Sequence, residues 1–580
     1  MCLFNAKYYL AILCFLLLNV TSYSQVWITE TSPSKNQISV HSNSNIIINF
    51  SRPLLESSVN SGNVIVKGSV RGLYSSNLNY SDPNRTLIID PDANFKPGER
   101  INVTVTGYLQ DQQSNFMEQA VNISFTAAAE GGTGTFTLSQ EAIITESKPN
   151  HMTSGDLDND GDADIIVVNR NSNNIDILFN NGLGSFTKTI INSDLYSPSD
   201  TDCGDIDNDG DIDFVVSWEG NAFSVYKNNG TGVFAQSEVI TAGLRPLAVK
   251  LFNIDKDGYP DIAIANWGSD NVAFYRNNGE GNFIFLSYIH PGIRPLTFAS
   301  GDADNDGDID LAIGIDWNPA QVAIEKNDGF GNFSLSQLIT VRDRPYSITE
   351  NNFDNNFYLD FCSSNLYDNT LSVMLNNGGV FSSALVTAGG ADARKIINGD
   401  FDADGDIDLA LASSNSEFIS TYKNNGNAVF TGYLLQNTFG KAYQIISNDF
   451  DGDGDLDLAT TNHSTNSLSI FRNNNSFGYN SITQIDNGSV PNKFVLKQNY
   501  PNPFNPSTSI NFRLPENGFV TLKIYSSSGK EISSLVNKNL DAGEYSVNFD
   551  ADRLSLESGV YFYKIIAGQF TDSKKMFYIK

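Results

Sequence analysis

Short apolar runs separated by Gly, Asn and Asp turns recur along most of this chain. Pro246-Leu-Ala-Val-Lys-Leu-Phe252 and Ile262-Ala-Ile-Ala-Asn-Trp267 are two of them. Asn271 to Arg276 follows after a brief polar turn, and Phe283 to Tyr288 after an Asn-Asn-Gly turn. Runs rich in β-branched and aromatic residues between such turns predict four short antiparallel strands. The 3.6-residue apolar period that helical repeats require is missing. Nearer the N-terminus, Asn45 to Phe50, Thr86 to Ile89 and Ile101 to Thr106 alternate apolar and polar residues. They predict a separate β-sandwich over residues 25–127. Before it, Lys7, the apolar stretch Tyr8 to Val20 and Ser22-Tyr23-Ser24 read as a signal peptide, residues 1–24, cut before Gln25. The stretch is shorter than the ~20 residues needed to span a bilayer, and no later segment is apolar enough.

The four-strand unit repeats. Asp156-Leu-Asp-Asn-Asp-Gly-Asp-Ala-Asp164 is the first copy of a loop whose later copies begin at Asp205, Asn253, Asp302, Asn352, Asp400 and Asp449. The spacing stays between 48 and 50 residues. A four-strand unit of this length is the size of a propeller blade. The expected fold is therefore all-β, a seven-bladed β-propeller over residues 132–475 with a β-sandwich on either side. Gly132-Thr-Gly-Thr-Phe136 is similar to the turn and fourth strand at Gly182 to Phe186. That leading strand is expected to complete the last blade and so remove an exposed sheet edge. Ala127 to Gly134 reads as a linker (128–134), and a second linker is expected at 476–492.

In five of the seven loops acidic residues fall at positions 1, 3, 5 and 9, with Gly at 6, and the third differs only by Asn253 at position 1. Carboxylates this close repel one another unless a cation neutralises them. Oxygen-only ligands select a hard cation, and Ca²⁺ tolerates flexible geometry better than Mg²⁺. An EF-hand is a poor fit, because it closes on Glu at position 12 and is flanked by helices. Here the loop closes on Asp at position 9 and a strand pattern follows. A formal net charge of −30 agrees with bound cations and excludes a nucleic-acid partner. Cys203 and Cys362 lie in non-adjacent repeats at different positions, so buried thiols are expected rather than a disulfide.

The loop and the Asn-Asn-Gly-x-Gly-x-Phe turn, as at Asn277 to Phe283, resemble the FG-GAP/VCBS repeats of integrin-α-like propellers. The resemblance implies calcium held by side chains at positions 1, 3, 5 and 9 and a carbonyl at 7. Carried over, the sites are Asp156, Asp158, Asp160 and Asp164; Asp205, Asp207, Asp209 and Asp213; and Asn253, Asp255, Asp257 and Asp261. Three more are Asp302, Asp304, Asp306 and Asp310; Asp400, Asp402, Asp404 and Asp408; and Asp449, Asp451, Asp453 and Asp457. The fifth loop, Asn352 to Asp360, has Asn at positions 1 and 5 and Phe357 at 6, so it is expected to be empty or weak. Ser32-Pro33, Asn49 to Pro53 and Lys96-Pro-Gly98 resemble a bacterial Ig-like domain. Asn499 to Thr508, Gly559 to Tyr563 and Lys574 to Ile579 resemble the C-terminal sorting domain of type IX secretion, over residues 493–580. That resemblance implies handling by the type IX machinery and a secreted or outer-surface location.

In an antiparallel blade the Asp loops share one end, and the second-to-third-strand loops lie at the other, ~20 Å away. That far face gathers Trp218, Trp267, Trp317 and Tyr367 on four consecutive repeats. Eight residues before each Asp loop stand Lys148, Ser197, Arg245, Arg294, Arg344, Asp392 and Lys441. The four aromatics with Arg245, Arg294 and Arg344 are candidates to bind an acidic glycan or protein segment. The competing reading is packing between blades. The expected function is a secreted or surface calcium-binding protein mediating binding or adhesion. The alternatives are a calcium-dependent polysaccharide lyase or hydrolase and a structural surface-layer spacer. No catalytic constellation stands out around the four histidines, His41, His151, His290 and His463.

Overall fold

The structure is a computed structural model. It describes residues 25–580 except 118, 130, 140, 390–391, 476–482, 485–490, 492, 506, 528–530, 541, 552–555 and 557. The expected signal peptide, 1–24, and most of the expected second linker, 476–492, lie outside the described residues. Apart from one 3-10 turn at Glu56–Ser58, the regular elements described are strands. No helix among the described residues is long and apolar enough to cross a membrane.

The N-terminal unit packs two sheets face to face. One orders Ile28–Ser32, Ile46–Phe50, Thr86–Pro91 and Ser76–Ser81. The other orders Gln37–Val40, Val121–Ala127, Arg100–Val105, Val64–Gly68 and Gly72–Leu73. Period-two alternation buries Ile46, Ile48 and Phe50 against Ile101, Val103 and Phe125 in one shared core. The C-terminal unit is also a pair of four-stranded sheets, with Ile510, Phe512, Leu522, Tyr563 and Tyr578 between them.

Between these units stand six four-stranded antiparallel sheets, each with its strands in chain order, and a seventh sheet of five strands. The third repeat, for example, runs Pro246–Phe252, Asp261–Asn266, Asn271–Asn277 and Phe283–Ile289. The seventh is completed from the front of the chain, where Gly132–Leu138 pairs with Ser467–Asn475. Every second strand is buried along its whole length, as in Asp164–Asn169 and Asp261–Asn266. The reason is packing on both faces: Ile166 and Val168 meet Phe214 and Val216 of the next repeat. The first strand of each sheet lies against that of the next, and the seventh lies against the first. A side-chain bond repeats the same circuit. Asn228 Nδ2 donates to Leu157 O one repeat earlier (2.7 Å), and so on through the repeats. Asn180 of the first repeat donates to Phe450 O of the seventh (2.8 Å).

The N-terminal unit rests on the Asp-loop end of these sheets. Asp156 N–H donates to Val70 O (2.9 Å), and Asn122 N–H to Gly307 O (3.0 Å). Gly98 lies so close to Leu456 that a Cβ there would come within 2.8 Å of Leu456 Cδ1.

Candidate metal centres and the opposite face

Each loop follows a first strand and turns back into a second, which folds nine residues into a tight cup. Positions 4 and 6 take left-handed backbone, as at Asn159 (φ 61°) and Gly161 (φ 95°). Gly carries that conformation at position 6 without a Cβ clash. Five loops bring three carboxylates together, each offering an oxygen within 4.8 Å of the others. The groups are Asp156, Asp158 and Asp164; Asp205, Asp207 and Asp213; Asp302, Asp304 and Asp306; Asp400, Asp402 and Asp404; and Asp449, Asp451 and Asp453. Asp160, Asp209, Asp310, Asp408 and Asp457 belong to the same loops but stand outside these triplets.

The third loop gathers no such group. Asn253 replaces one carboxylate and donates to Thr104 Oγ1 of the N-terminal unit (3.3 Å). Asp255 is paired with Arg276, and Asp257 and Asp261 remain. The fifth loop gathers none either, yet it keeps the same backbone path, with Asn355 at φ 62° and Phe357 at φ 67°.

The donor set suits a hard divalent cation. Buried Oδ1 atoms of Asp156, Asp158, Asp302, Asp400 and Asp402 accept no hydrogen bond. A buried carboxylate oxygen without a donor is costly unless a cation meets it. Burial pushes Asp156 up to about 6 and Asp400 to about 7, with neighbouring aspartates adding to the rise. In five repeats a basic residue of the third strand meets the position-3 Asp, as with Lys326 and Asp304 (2.8 Å) or Lys227 and Asp207 (3.1 Å). Phe179 and Leu375 occupy that slot in the first and fifth repeats.

Position 9 has a second task. Asp164 accepts the N–H of Leu157 (2.9 Å) on one oxygen and that of Asn180 (2.7 Å) on the other. All seven repeats do the same, including the fifth, where Asp360 accepts from Phe353 (2.9 Å) and Asn376 (2.7 Å). This carboxylate therefore ties the loop to the end of the third strand, independently of any metal. Burial pushes Asp164 up to about 8 and Asp360 to about 7, while these N–H donors pull back.

Three lysines of the N-terminal unit enter the loop face. Lys35 Nζ lies 3.1 Å from Asp302 Oδ2 and 2.9 Å from Asn305 O. Lys67 Nζ reaches Asp205 O at 3.1 Å, and Lys96 Nζ donates to Gly161 O. Arg100 is buried below its usual pKa there, with Glu350 and Asp302 pulling back. None of these contacts was legible in the sequence, because no local motif marks a lysine of one unit as the partner of a loop in another.

On the opposite face the candidates divide. Arg245 and Arg294 each lie 4.5 Å from the Trp267 ring centroid, and Arg294 also lies 5.0 Å from Trp317. Trp267 Nε1 donates to Asp316 (3.3 Å), and Arg344 sits 5.0 Å from the Tyr367 ring. Trp317 is 48% exposed and Tyr367 60%. Trp218 is 0% exposed and donates to Ser224 Oγ (2.7 Å), so it packs inside the sheets instead of on this face. It stands 13 residues after its loop start, against 14 for Trp267 and 15 for Trp317. That offset makes it the last residue of the strand Asp213–Trp218, and it was the available signal. Cys203 and Cys362 are unpaired.

Comparison with known proteins agrees with this layout. Residues 24–127 match the family described as "Bacterial Ig-like domain". "FG-GAP-like repeat" matches at 156–216, 205–264, 253–313 and 400–460, stretches that omit the fifth loop. Residues 498–580 match "Secretion system C-terminal sorting domain". No curated protein matches. A solved structure titled "Crystal structure of BBS1N in complex with ARL6DN, soaked with lead" aligns at 11% identity and TM-score 0.44, over 60% of this chain and 98% of that one. The chain thus joins a bacterial Ig-like domain, FG-GAP-like repeats and a type IX secretion sorting domain, and it is a secreted or outer-cell-surface protein.

Proposed function

We propose that the seven sheets form a calcium-stabilised seven-bladed propeller that binds an acidic extracellular ligand, through the face opposite the Asp loops. One observation carries the choice of face: the loop end is covered by the N-terminal unit, whereas the other end exposes stacked arginines and aromatic rings. Guanidinium groups over rings present N–H edges to carboxylate or sulfate oxygens. Arg294 has no ion pair among the described residues, while Arg245 lies 3.4 Å from Glu219 and Arg344 3.7 Å from Asp316. Such a cationic line is unusual in a chain of net charge −30. The propeller reading rests on the circuit of first strands and Asn bonds that returns from the seventh repeat to the first. The calcium reading rests on the five carboxylate triplets and their unmet buried oxygens. The third loop, Asn253 to Asp261, gathers no triplet and is expected to be the weakest of the six sites.

The test is retention on arrays of acidic and sulfated glycans and acidic peptides. Arg245→Ala, Arg294→Ala and Trp317→Ala combined should abolish retention with the unfolding midpoint unchanged. Retention equal to the parent protein would reject the face. The enzymatic alternative has one observation in its favour, His151 Nδ1 at 2.7 Å from Asp200 Oδ1 on neighbouring first strands. Turnover of acidic polysaccharides, lost in His151→Ala, would favour it over binding alone.

A further inference from the structure

The first strands of the seven sheets line the inside of the circuit, and their second residues form its far-face opening. In the fifth, sixth and seventh repeats these are Tyr346, Arg394 and Tyr443. Arg394 is only 7% exposed. Its guanidinium lies 3.9 Å from the Tyr346 ring centroid and 3.3 Å from that of Tyr443. It donates to Tyr346 Oη, while its Nε has no hydrogen-bond partner. Among the described residues no carboxylate forms an ion pair with it.

The surroundings add positive charge. Arg344, with Asp316 at 3.7 Å from its Nε, lies 5.7 Å from the Tyr346 ring. His463 stacks on Tyr443 at 4.3 Å, and Lys148 Nζ lies 3.4 Å from His463 Nδ1. Arg170, itself paired with Glu219 (2.5 Å), acts on Arg394 and His463 from the adjoining loop. Burial, then Lys148, Arg394 and Arg170, hold His463 down to about 4, so it stays neutral here.

Burying a guanidinium without a counter-charge is costly, and stacking on rings offsets only part of that cost. The cluster lacks an anion. We propose that Arg394, with Arg344 and Lys148, forms an oxyanion site at the far-face opening that takes the carboxylate or sulfate group of an anionic saccharide. Arg344 links the site to the exposed Tyr367 ring, at 5.0 Å, and an apolar sugar face stacks on such a ring. That ring favours a saccharide over an acidic peptide. The inference rests on the far face being the binding surface, but its residues are distinct from the Arg245–Trp267–Arg294–Trp317 line.

The test is calorimetric titration of the full chain in calcium with trigalacturonate, a sulfated disaccharide, inorganic sulfate, an Asp/Glu hexapeptide and neutral maltotriose. The anionic saccharides should bind, and Arg394→Met should weaken them at least tenfold. Arg344→Gln and Lys148→Gln, both on partly exposed side chains, should each weaken them severalfold and keep the test valid if Arg394→Met does not fold. Binding should also move the His463 ring titration upward. Unchanged affinity in all three variants, with loss only in the Arg245/Arg294/Trp317 variant, would overturn this site and leave the wider face standing. Binding of the peptide but not the saccharides, or of sulfate as an adventitious ion only, would overturn the ligand class.

Discussion

Replacing Asp360 by Ala should destabilise the repeat region whether or not calcium is present. The fifth loop has lost the carboxylates at positions 1 and 5, so metal binding does not account for Asp360. Its side chain is fully buried, and its two oxygens hold the N–H groups of Phe353 and Asn376 at 2.9 and 2.7 Å. Asn376 in turn donates to Ala303 O of the preceding repeat. The Ala variant strands two buried N–H donors at about 1–3 kcal/mol each, so the expected loss is about 2–6 kcal/mol. Asp360→Asn keeps one acceptor oxygen and should lose about half as much. The assay is guanidinium unfolding with saturating calcium and with chelator, read as a shift of midpoint at constant slope. Asp164→Ala is the contrast. It removes the same pair of bonds and a member of a carboxylate triplet, so its penalty should grow when calcium is added. An Asp360→Ala penalty that appears only with calcium would refute the reasoning and make Asp360 a metal ligand.

Calcium-free protein should be less stable near pH 8 than near pH 5. Folded Asp156 titrates at about 6 and Asp164, Asp310 and Asp408 at about 8, all mainly through burial, against about 3.9 unfolded. The raised values mean that this stability is whole below about pH 4 and is lost as pH rises to about 8. Thermal unfolding in chelator reads it, and calcium should reverse the order; equal midpoints without calcium would contradict the shifts. Asn180→Ala should cost as much as Asn228→Ala, about 1–3 kcal/mol, because both bond the repeat before, the first across the chain ends. A much smaller cost for Asn180→Ala in denaturant unfolding would mean that the circuit is open. Phe357→Gly should stabilise by about 1 kcal/mol, since a bulky residue sits at φ 67°; an unchanged melting curve would show that Phe357 contacts repay the strain. Replacing Lys35, Lys67 and Lys96 together by Gln should raise hydrogen exchange in the first, second and fourth loops, and unaltered exchange would show that the N-terminal unit docks without them.

The sequence by itself determined the parts built from near neighbours. A carboxylate cup made of nine successive residues needs only its own spacing, so the loops at Asp156, Asp205, Asp302, Asp400 and Asp449 were legible, as was the fifth loop's lack of a carboxylate triplet. The strands were legible because turn residues and β-branched runs encode them locally. The tertiary structure decided whatever joins distant residues. Asn228 and Leu157 are 71 positions apart, and Lys35 meets Asp302 across 267. No local pattern brings Arg394 between two tyrosines from other repeats, because the way neighbouring sheets stack sets that meeting. Trp218 shows the limit on a smaller scale: one residue of offset makes it the last residue of a strand buried along its whole length, whereas Trp267 and Trp317 follow the ends of theirs. Spacing therefore shows which residues share a loop. Which residues share a surface depends on how the seven sheets pack and on what covers their ends.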